Sequence, residues 1–268
     1  MSDRATRNQP TGKKPAPRPL PVWGERALAV AFWLVVWQLA AQAISSRIIL
    51  VGPAEVAARL VELAQAGEFW GAVGLSLARI AVGFMLAVVV GVALAAAAGR
   101  WRAVHTLAAP LVGAVKAAPV ASFVILVLIW VPSRRLSIII SFLMAMPIVY
   151  TNVLEGIDQT DPALLEMADV FGVRGWRRVT TIYASEVAPY LRAGVSLAVG
   201  LSWKSGIAAE VIGLPDPSIG INLYNAKVYL DTPDLFAWTL AIVLLSVVIE
   251  AALRRALAWA QARWEARA

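Results

Sequence analysis

Residues Ile80–Ala98 read IAVGFMLAVVVGVALAAAA, a run that contains no charged side chain. A helix needs about 20 mostly apolar residues to cross the ~30 Å of hydrocarbon in a bilayer. This run therefore predicts a membrane-spanning helix. Hydrophobic residues make up 60% of the whole chain. Because soluble domains contain roughly 45–50% apolar residues, this chain has too little polar surface to cover a water-soluble globule.

Further apolar runs lie on both sides of this one. Three of them also lack internal charges, namely Ala27–Ile44, Ala117–Ser133 and Leu136–Val153. Val187–Ala209 contains two basic residues, and Leu235–Ile249 extends to Ala252 if Glu250 sits at the membrane interface. The pattern predicts an all-α polytopic membrane protein with about six transmembrane helices, at 27–44, 78–98, 110–131, 135–153, 187–209 and 235–252.

The distribution of basic residues predicts the orientation. Most of the 24 lysines and arginines lie in the N-terminal tail, the loops near 99–106 and 154–192, and the C-terminal tail. Because basic loops remain in the cytoplasm, we expect both termini and the loop 154–189 on that side of a bacterial inner membrane. The net charge of +7 follows from this bias and from contact with lipid headgroups, so it requires no nucleic acid partner.

The same reasoning divides the chain into three parts. Residues 1–22 are basic and proline-rich and predict a disordered cytoplasmic tail. Residues 23–258 form the predicted transmembrane domain, and residues 259–268 a second cytoplasmic tail.

The chain lacks the residue patterns of catalysis. It contains no cysteine and a single histidine, His105, so a Cys/His metal site is excluded. No glycine-rich loop ends in Gly-Lys-Ser/Thr, the pattern that cradles nucleotide phosphates. We therefore expect a transport subunit rather than an enzyme, with no catalytic residue, no metal and no cofactor in this chain.

Residues Glu166–Pro189 read EMADVFGVRGWRRVTTIYASEVAP and form a polar, basic stretch between apolar runs. Just before it, Asp161 and Pro162 indicate a helix start, because Asp caps helix N-termini and Pro suits the first turn. Gly172 predicts the end of that helix through a residue with positive φ. Pro189 is expected to precede the next span.

A second short helix is predicted by apolar residues at i, i+3 and i+6, namely Trp176, Val179 and Ile182. The two helices and the glycine turn would form a projection at the membrane surface. Such a projection could lie on lipid headgroups, or it could fit a groove on another protein. The residue pattern leaves both interpretations open.

The pattern Glu166-Met167-Ala168, followed by Gly172 and Pro189, resembles the EAA loop of permease subunits of binding-protein-dependent ABC importers. Two other stretches are similar to motifs of the same family: Ser76-Leu77-Ala78-Arg79 before Gly83-Phe84, and Lys116-Ala117-Ala118-Pro119. A third, Ala208-Ala209-Glu210 before Gly220, is similar to the nitrate/sulfonate/taurine group of these permeases. The chain departs from the family pattern at Met167, at Ser185, and at the turn Val131-Pro132-Ser133-Arg134.

The resemblance implies a type I ABC importer permease fold. Two copies, expected to be a homodimer, would enclose a pathway for a small anionic or polar solute such as nitrate, a sulfonate or taurine. A cytoplasmic ATPase dimer would bind ATP and Mg²⁺ and receive the loop, and an external solute-binding protein would deliver the solute. The residues expected to contact the ATPase are Glu166, Ala168, Gly172, Val173, Arg174 and Trp176.

Lys204 lies inside the fifth predicted span, among serine and glycine residues. An ionisable residue within a span costs ~2.5–3.5 kcal/mol on insertion scales and suggests a function. Candidate pathway residues are therefore Lys204, Ser202, Ser205 and Glu210. Alternatively, Lys204 pairs with Glu210 or extends its ammonium group to the interface.

Two other classes of protein fit part of the sequence. A self-contained secondary carrier or channel would account for the spans and for Lys204, but not for the EAA-like loop. A membrane scaffold or an enzyme subunit would function without ATP.

Overall fold

A computed structural model describes residues 22–44 and 46–265, and within them all regular structure is helical. The all-α prediction is confirmed. The helices are α1 (Val22–Ile44), α2 (Pro53–Gln65), α3 (Gly67–Arg100), α4 (Arg102–Ala117), α5 (Val120–Leu128), α6 (Ser133–Asp158), α7 (Pro162–Val170), α8 (Trp176–Arg178), α9 (Ala184–Gly213), α10 (Ile219–Val228) and α11 (Thr232–Glu265). The predicted tail at 1–22 lies, apart from Val22, outside the described residues.

Five helical segments of the described chain are long and apolar enough to cross a membrane: Ala27–Ile44, Gly67–Arg100, Ser133–Asp158, Trp176–Gly213 and Thr232–Arg263. Helices α4 and α5 make a sixth span if they are counted together, and they meet at an angle of 104°. These segments agree with the expected polytopic membrane protein.

The bend between α4 and α5 divides the predicted span 110–131, which was expected to be one helix. It falls at Pro119, which has no backbone N–H to donate and which disfavours helical conformation in the residue before it. Accordingly, Ala118 is extended, with φ of −81° and ψ of 140°. The predicted span 110–131 is therefore two helices joined by a sharp bend rather than one straight helix.

Several helices are longer than the hydropathy pattern predicted. Helix α3 begins at Gly67 rather than at 78, and α11 continues to Glu265, through the segment expected to be a tail. The fifth span is continuous from Trp176, where a loop was expected as far as Pro189. Hydropathy marks only the part of a helix that suits hydrocarbon, whereas polar residues can continue the helix beyond it.

Helix α6 lies at the centre of the bundle and is the most buried of the candidate spans. It runs parallel to α3, because Gly83, Gly91 and Gly99 of α3 lie against Ile138, Val149 and Ile157 in the same order. It runs antiparallel to α9, whose Gly194, Gly206 and Gly213 lie against Asn152, Ser141 and Leu136. Small residues at these crossings allow the helix backbones to approach closely.

These directions define two ends of the bundle. The C-termini of α3 and α6 and the N-terminus of α9 meet at one end, called the loop end, where residues 159–183 connect α6 to α9. Helices α2 and α10 lie at the opposite end, called the α10 end.

Helix α1 lies at the edge of the molecule, and none of its span is buried. It is held to the rest by Trp37, which donates a 3.0 Å hydrogen bond to the Val51 carbonyl and lies near the ring of Phe236. Val89 of α3 and Val248 of α11 are among the many exposed apolar side chains on the outer faces. Such faces suit lipid chains, which are as apolar as leucine.

Candidate functional site

Two regions of the bundle carry features beyond helix packing, one at each end. At the loop end, helix α7 is capped as the sequence predicted. The Asp161 carboxylate accepts a 2.8 Å hydrogen bond from the Ala163 N–H, and Pro162 lies in the first turn. This cap satisfies one of the N–H groups that have no partner within the helix.

Gly172 ends helix α7 through a two-bond C-cap. Its φ is 66°, a conformation that costs other L-residues roughly 1–2 kcal/mol. Its N–H donates to the Asp169 carbonyl at 3.2 Å, and the Val173 N–H donates to the Ala168 carbonyl at 2.8 Å. This pair of hydrogen bonds is the Schellman motif, so the prediction of a left-handed cap at Gly172 is confirmed.

A second glycine with positive φ, Gly175 at 59°, was missed in the sequence. It lies three residues after Gly172 and turns the chain from α7 into α8. A Gly-x-x-Gly spacing next to a predicted helix end is the signal that could have identified it, because both glycines adopt φ values that other residues rarely take.

The predicted second amphipathic helix does not form as a separate element. Helix α8 covers only Trp176–Arg178, and a π-helical turn at Val179–Tyr183 joins it directly to α9. Pro189 lies inside α9, where it removes one backbone donor without ending the helix. Of the expected apolar face, Ile182 is buried but Trp176 is exposed.

An ion pair fixes the angle between the two short helices of the loop. Arg178 Nη1 lies 2.7 Å from Asp169 Oδ1, so the guanidinium of α8 is hydrogen-bonded to a carboxylate of α7. This contact and the Gly172 cap fix the geometry of the loop without a large buried core.

Large apolar side chains project from this loop into solvent. Val170 is 84% exposed, Phe171 is 76% exposed and Trp176 is 78% exposed. Together with Met167, which is half exposed, they form what we call the loop knob. Exposed apolar patches of this kind mark contacts with another protein or with a membrane.

The six residues expected to contact the ATPase differ in exposure. Four of them are exposed, namely Glu166, Gly172, Arg174 and Trp176. Val173 is half-buried, and Ala168 lies on the buried side of α7. Sequence reasoning did not include Val170 and Phe171 among these residues, although both large apolar side chains are as exposed as that of Trp176 or nearly so.

At the α10 end, a buried carboxylate joins three helices. Glu210 of α9 is fully buried. Its Oε2 accepts a 2.6 Å hydrogen bond from Ser76 of α3, and it lies 3.4 Å from the Gly220 N–H of α10. Arg79 of α3 lies 3.8 Å from Oε1, which gives the buried charge a partner of opposite sign.

The same cluster holds the segment between α9 and α10. The Ile219 N–H donates to Ser76 Oγ at 3.0 Å, and Arg79 donates to the Pro217 carbonyl at 3.0 Å. A Cβ at Gly220 would lie only 2.4 Å from the backbone of Glu210, so only glycine fits at this contact. Helix α10 is thereby held by its N-terminus against α3 and α9.

A second charged contact at this end joins α2 to α11. Hydrogen bonds from Arg59 to Asp234 and Glu62 raise the pKa of the Arg59 guanidinium above its ordinary value. The contact between Arg59 and Asp234 connects the segment before α3 to the start of α11.

The four candidate pathway residues do not lie on one face of α9. Ser202, Ser205 and Glu210 are buried, whereas Lys204 is exposed on the outer side. Ser205 donates to the Leu201 carbonyl at 2.7 Å, and the Ser202 carbonyl accepts from Ser141. Among the described residues, neither a hydrogen bond nor an ion pair joins Lys204 to Glu210.

Residues 87–265 match the protein family described as binding-protein-dependent transport system inner membrane component. The chain belongs to this family and is a permease subunit of a binding-protein-dependent ABC importer. The matched region begins within α3, after Ser76 and Arg79, and includes the loop knob, Glu210 and Gly220.

Individual relatives place the chain in the nitrate/sulfonate group of these permeases. It is 25% identical over 228 residues to SsuC of Bacillus subtilis (strain 168), named for transport of aliphatic sulfonates; the match covers 84% of this chain and 81% of SsuC. It is 26% identical over 199 residues to the bicarbonate transport system permease protein CmpB of Synechococcus elongatus, covering 74% of this chain and 69% of CmpB. The nitrate import permease protein NrtB of Synechococcus elongatus is 26% identical over 153 residues, which cover 57% of this chain and 54% of NrtB.

Proposed function

We propose that two copies of this permease enclose the translocation pathway of an ABC importer for a small anion, and that the loop knob couples each copy to a cytoplasmic ATPase. The single observation that carries the coupling part is the exposure of Val170, Phe171 and Trp176 on a loop held by specific hydrogen bonds.

Coupling requires a surface that binds its partner through apolar contacts and that keeps a fixed shape. The exposed apolar side chains supply the first property, because their burial in a partner groove removes apolar area from water at roughly 25 cal/mol per Å². The Gly172 cap and the Arg178–Asp169 ion pair supply the second. A loop without these contacts would absorb a movement of its partner instead of passing it on.

In the proposed cycle, ATP and Mg²⁺ bind to the partner ATPase and not to this chain. Closure of the ATPase dimer draws the two loop knobs together and moves α8 and α9. The contact residues are those expected from the sequence, Glu166, Gly172, Val173, Arg174 and Trp176, extended by Val170 and Phe171. Ala168 supports them from within the loop.

The loop end faces the cytoplasm in this proposal, with both termini on the same side, and a solute-binding protein approaches the α10 end. The proposed solute class rests on the relatives, whose names refer to sulfonates, bicarbonate and nitrate. All three are small oxyanions. Two identical copies suffice because the chain contains both the coupling loop and the spans.

The test is co-purification of the ATPase with the full-length, tagged permease after gentle extraction, with ATP hydrolysis measured in the eluate. Phe171→Asp places a charge in the loop knob and is expected to abolish the association. Tyr229→Asp is the matched control, because Tyr229 is 79% exposed at the α10 end and should leave the ATPase bound.

Two results would overturn this proposal. If the unmodified permease yields no ATPase, a self-contained carrier or channel becomes the better reading, and solute flux in liposomes without ATP would establish it. If Phe171→Asp retains the ATPase but weakens binding of the purified loop segment to anionic vesicles, the loop knob lies on lipid headgroups.

A further inference from the structure

We infer that Lys204 lines the translocation route and selects for anions by supplying a positive charge deep within the membrane. This inference rests on the proposed function, because the route is enclosed by two copies of the chain. Lys204 is then a residue that determines which solutes enter the pathway.

Lys204 lies on an outward stripe of α9 that is otherwise apolar. The stripe comprises Leu197, Leu201, Lys204 and Ile212, at i, i+4, i+7 and i+15, and every member is exposed. These spacings place the four side chains on one side of a helix of 3.6 residues per turn. The opposite side of α9 packs into the bundle through Ser202, Ser205 and Trp203.

The position of Lys204 along the membrane follows from its neighbours. Trp203 donates to the Ile242 carbonyl of α11 at 3.2 Å, and Gly206 lies against Ile80 of α3 and Ser141 of α6. Ile242 lies about ten residues beyond the start of α11, or roughly 15 Å at 1.5 Å per residue. Lys204 therefore lies inside the span, nine residues or roughly 14 Å at 1.5 Å per residue from the end of α9 at Gly213.

No described side chain neutralises the Lys204 ammonium group, which makes neither a hydrogen bond nor an ion pair within residues 22–44 and 46–265. Two acidic residues lie at comparable depth. Glu210 is buried and bound to Ser76, and Glu250 of α11, beside Gly200, lies 3.7 Å from Arg254. In a homodimer the second copy brings the same set of charges, so it adds no free carboxylate at this depth.

An unpaired ammonium that faces lipid at this depth is energetically unfavourable. The same group facing a water-filled route between two copies remains solvated, and it attracts anions from the water. A lysine ammonium is a compact charge with three rotatable donors. Such a group suits transient attraction of a moving oxyanion rather than tight binding at one site. The flanking leucines and isoleucine are apolar, and an apolar surrounding strengthens the attraction between the ammonium group and an anion.

The chain contains no cysteine, so single introduced cysteines report on this stripe directly. Leu201→Cys, one turn from Lys204, is treated in the assembled permease–ATPase complex with two methanethiosulfonate reagents, one with an anionic sulfonate head and one with a cationic trimethylammonium head. We expect both to react and the anionic reagent to be favoured. In Leu201→Cys with Lys204→Met, the ratio of anionic to cationic rates should fall roughly tenfold, the effect of one charge about 6 Å away in water.

Two controls accompany this pair of variants. Val35→Cys lies on α1, whose span is exposed to lipid, and should react with neither reagent. Lys204→Arg retains the positive charge and should keep the ratio of the Leu201→Cys protein, which separates the charge from any effect of the substitution on packing.

Each contrary result overturns the inference in a distinct way. If Leu201→Cys is as unreactive as Val35→Cys, the stripe faces lipid. If it reacts but Lys204→Met leaves the ratio unchanged, Lys204 does not attract anions. If Glu250→Gln raises the ratio several-fold, Glu250 neutralises Lys204 in the unmodified protein. ATPase co-purification is measured on the same samples, so a failure of the coupling proposal shows separately as loss of the ATPase.

Discussion

Ser76 and Glu210 are separated by 134 residues in the sequence, yet the Ser76 hydroxyl donates a 2.6 Å hydrogen bond to the Glu210 carboxylate. The same hydroxyl accepts from the Ile219 N–H. One side chain of α3 therefore links the buried charge of α9 to the first turn of α10. Because an unpaired buried polar group costs more than a formed hydrogen bond contributes, the three helices at the α10 end depend on one another.

Substitution of this serine tests that dependence. Ser76→Ala removes the hydroxyl and leaves both the carboxylate oxygen and the Ile219 N–H short of a partner. We expect a loss of about 1–3 kcal/mol, seen as a lower midpoint of thermal unfolding in detergent. Ser122→Ala, on the exposed side of α5, serves as the matched control and should leave the midpoint unchanged. Equal midpoints for both variants would contradict the role given to Ser76.

Gly220→Ala is expected to displace α10. The added methyl group would lie 2.4 Å from the Glu210 backbone and 2.6 Å from the Val211 nitrogen, and neither backbone atom can move without moving α9. Limited proteolysis should therefore cut the α9–α10 segment faster. Gly74→Ala provides the comparison, since a Cβ at Gly74 meets nothing within 4 Å. An unchanged cleavage rate in Gly220→Ala would show that the contact yields easily.

Gly172→Ala is expected to damage coupling while leaving the bundle intact. A Cβ at Gly172 meets no atom within 4 Å, so the whole effect comes from the positive φ, at roughly 1–2 kcal/mol. The end of α7 should fray, and ATPase co-purification should fall several-fold while the unfolding midpoint stays close to that of the unmodified protein.

Gly113→Ala in α4 also fills open space, but at a helical φ, where alanine is favoured by up to about 1 kcal/mol. This variant should keep the ATPase and unfold no earlier than the unmodified protein. If the two substitutions behave alike, the left-handed cap is irrelevant to docking.

The Arg178–Asp169 ion pair is expected to affect docking more than stability. The Asp169 side chain is largely exposed, and ion pairs in such positions contribute at most about 1 kcal/mol. Arg178→Asp should therefore leave thermal unfolding nearly unchanged but weaken the association with the ATPase, because α7 and α8 lose their fixed angle. The exchange of both residues, Arg178→Asp with Asp169→Arg, should restore part of the association. No recovery in the double variant would mean that Arg178 contacts the ATPase itself.

Hydropathy and capping residues predicted much of the fold. The spans can be predicted because a helix in hydrocarbon requires a long apolar run. The two ends of α7 can be predicted because Asp161 and Gly172 cap the helix within their own segment of sequence. The size of the bend at Pro119 and the helical continuation through Pro189 were not predicted. Each depends on how neighbouring helices support the chain around a proline, which a local pattern does not contain.

The candidate pathway residues illustrate a second limit. At 100° per residue, Lys204 already points well away from Ser202 and Ser205, so helical geometry alone could have separated them. The partners of Glu210 could not have been found in the same way. Ser76 and Gly220 reach it only through the packing of three helices, and no short-range spacing records those contacts.

The helix from Trp176 to Gly213 is continuous over 38 residues, roughly 57 Å at 1.5 Å per residue. One of its ends belongs to the loop knob, and the other lies one turn from the Glu210 carboxylate that holds α10. In the proposed importer, a movement of Trp176 at the loop end is transmitted along this helix, through the π-helical turn at Val179–Tyr183, to Glu210 and α10 at the other end. One continuous helix therefore couples the ATPase side of the membrane to the side at which the solute arrives.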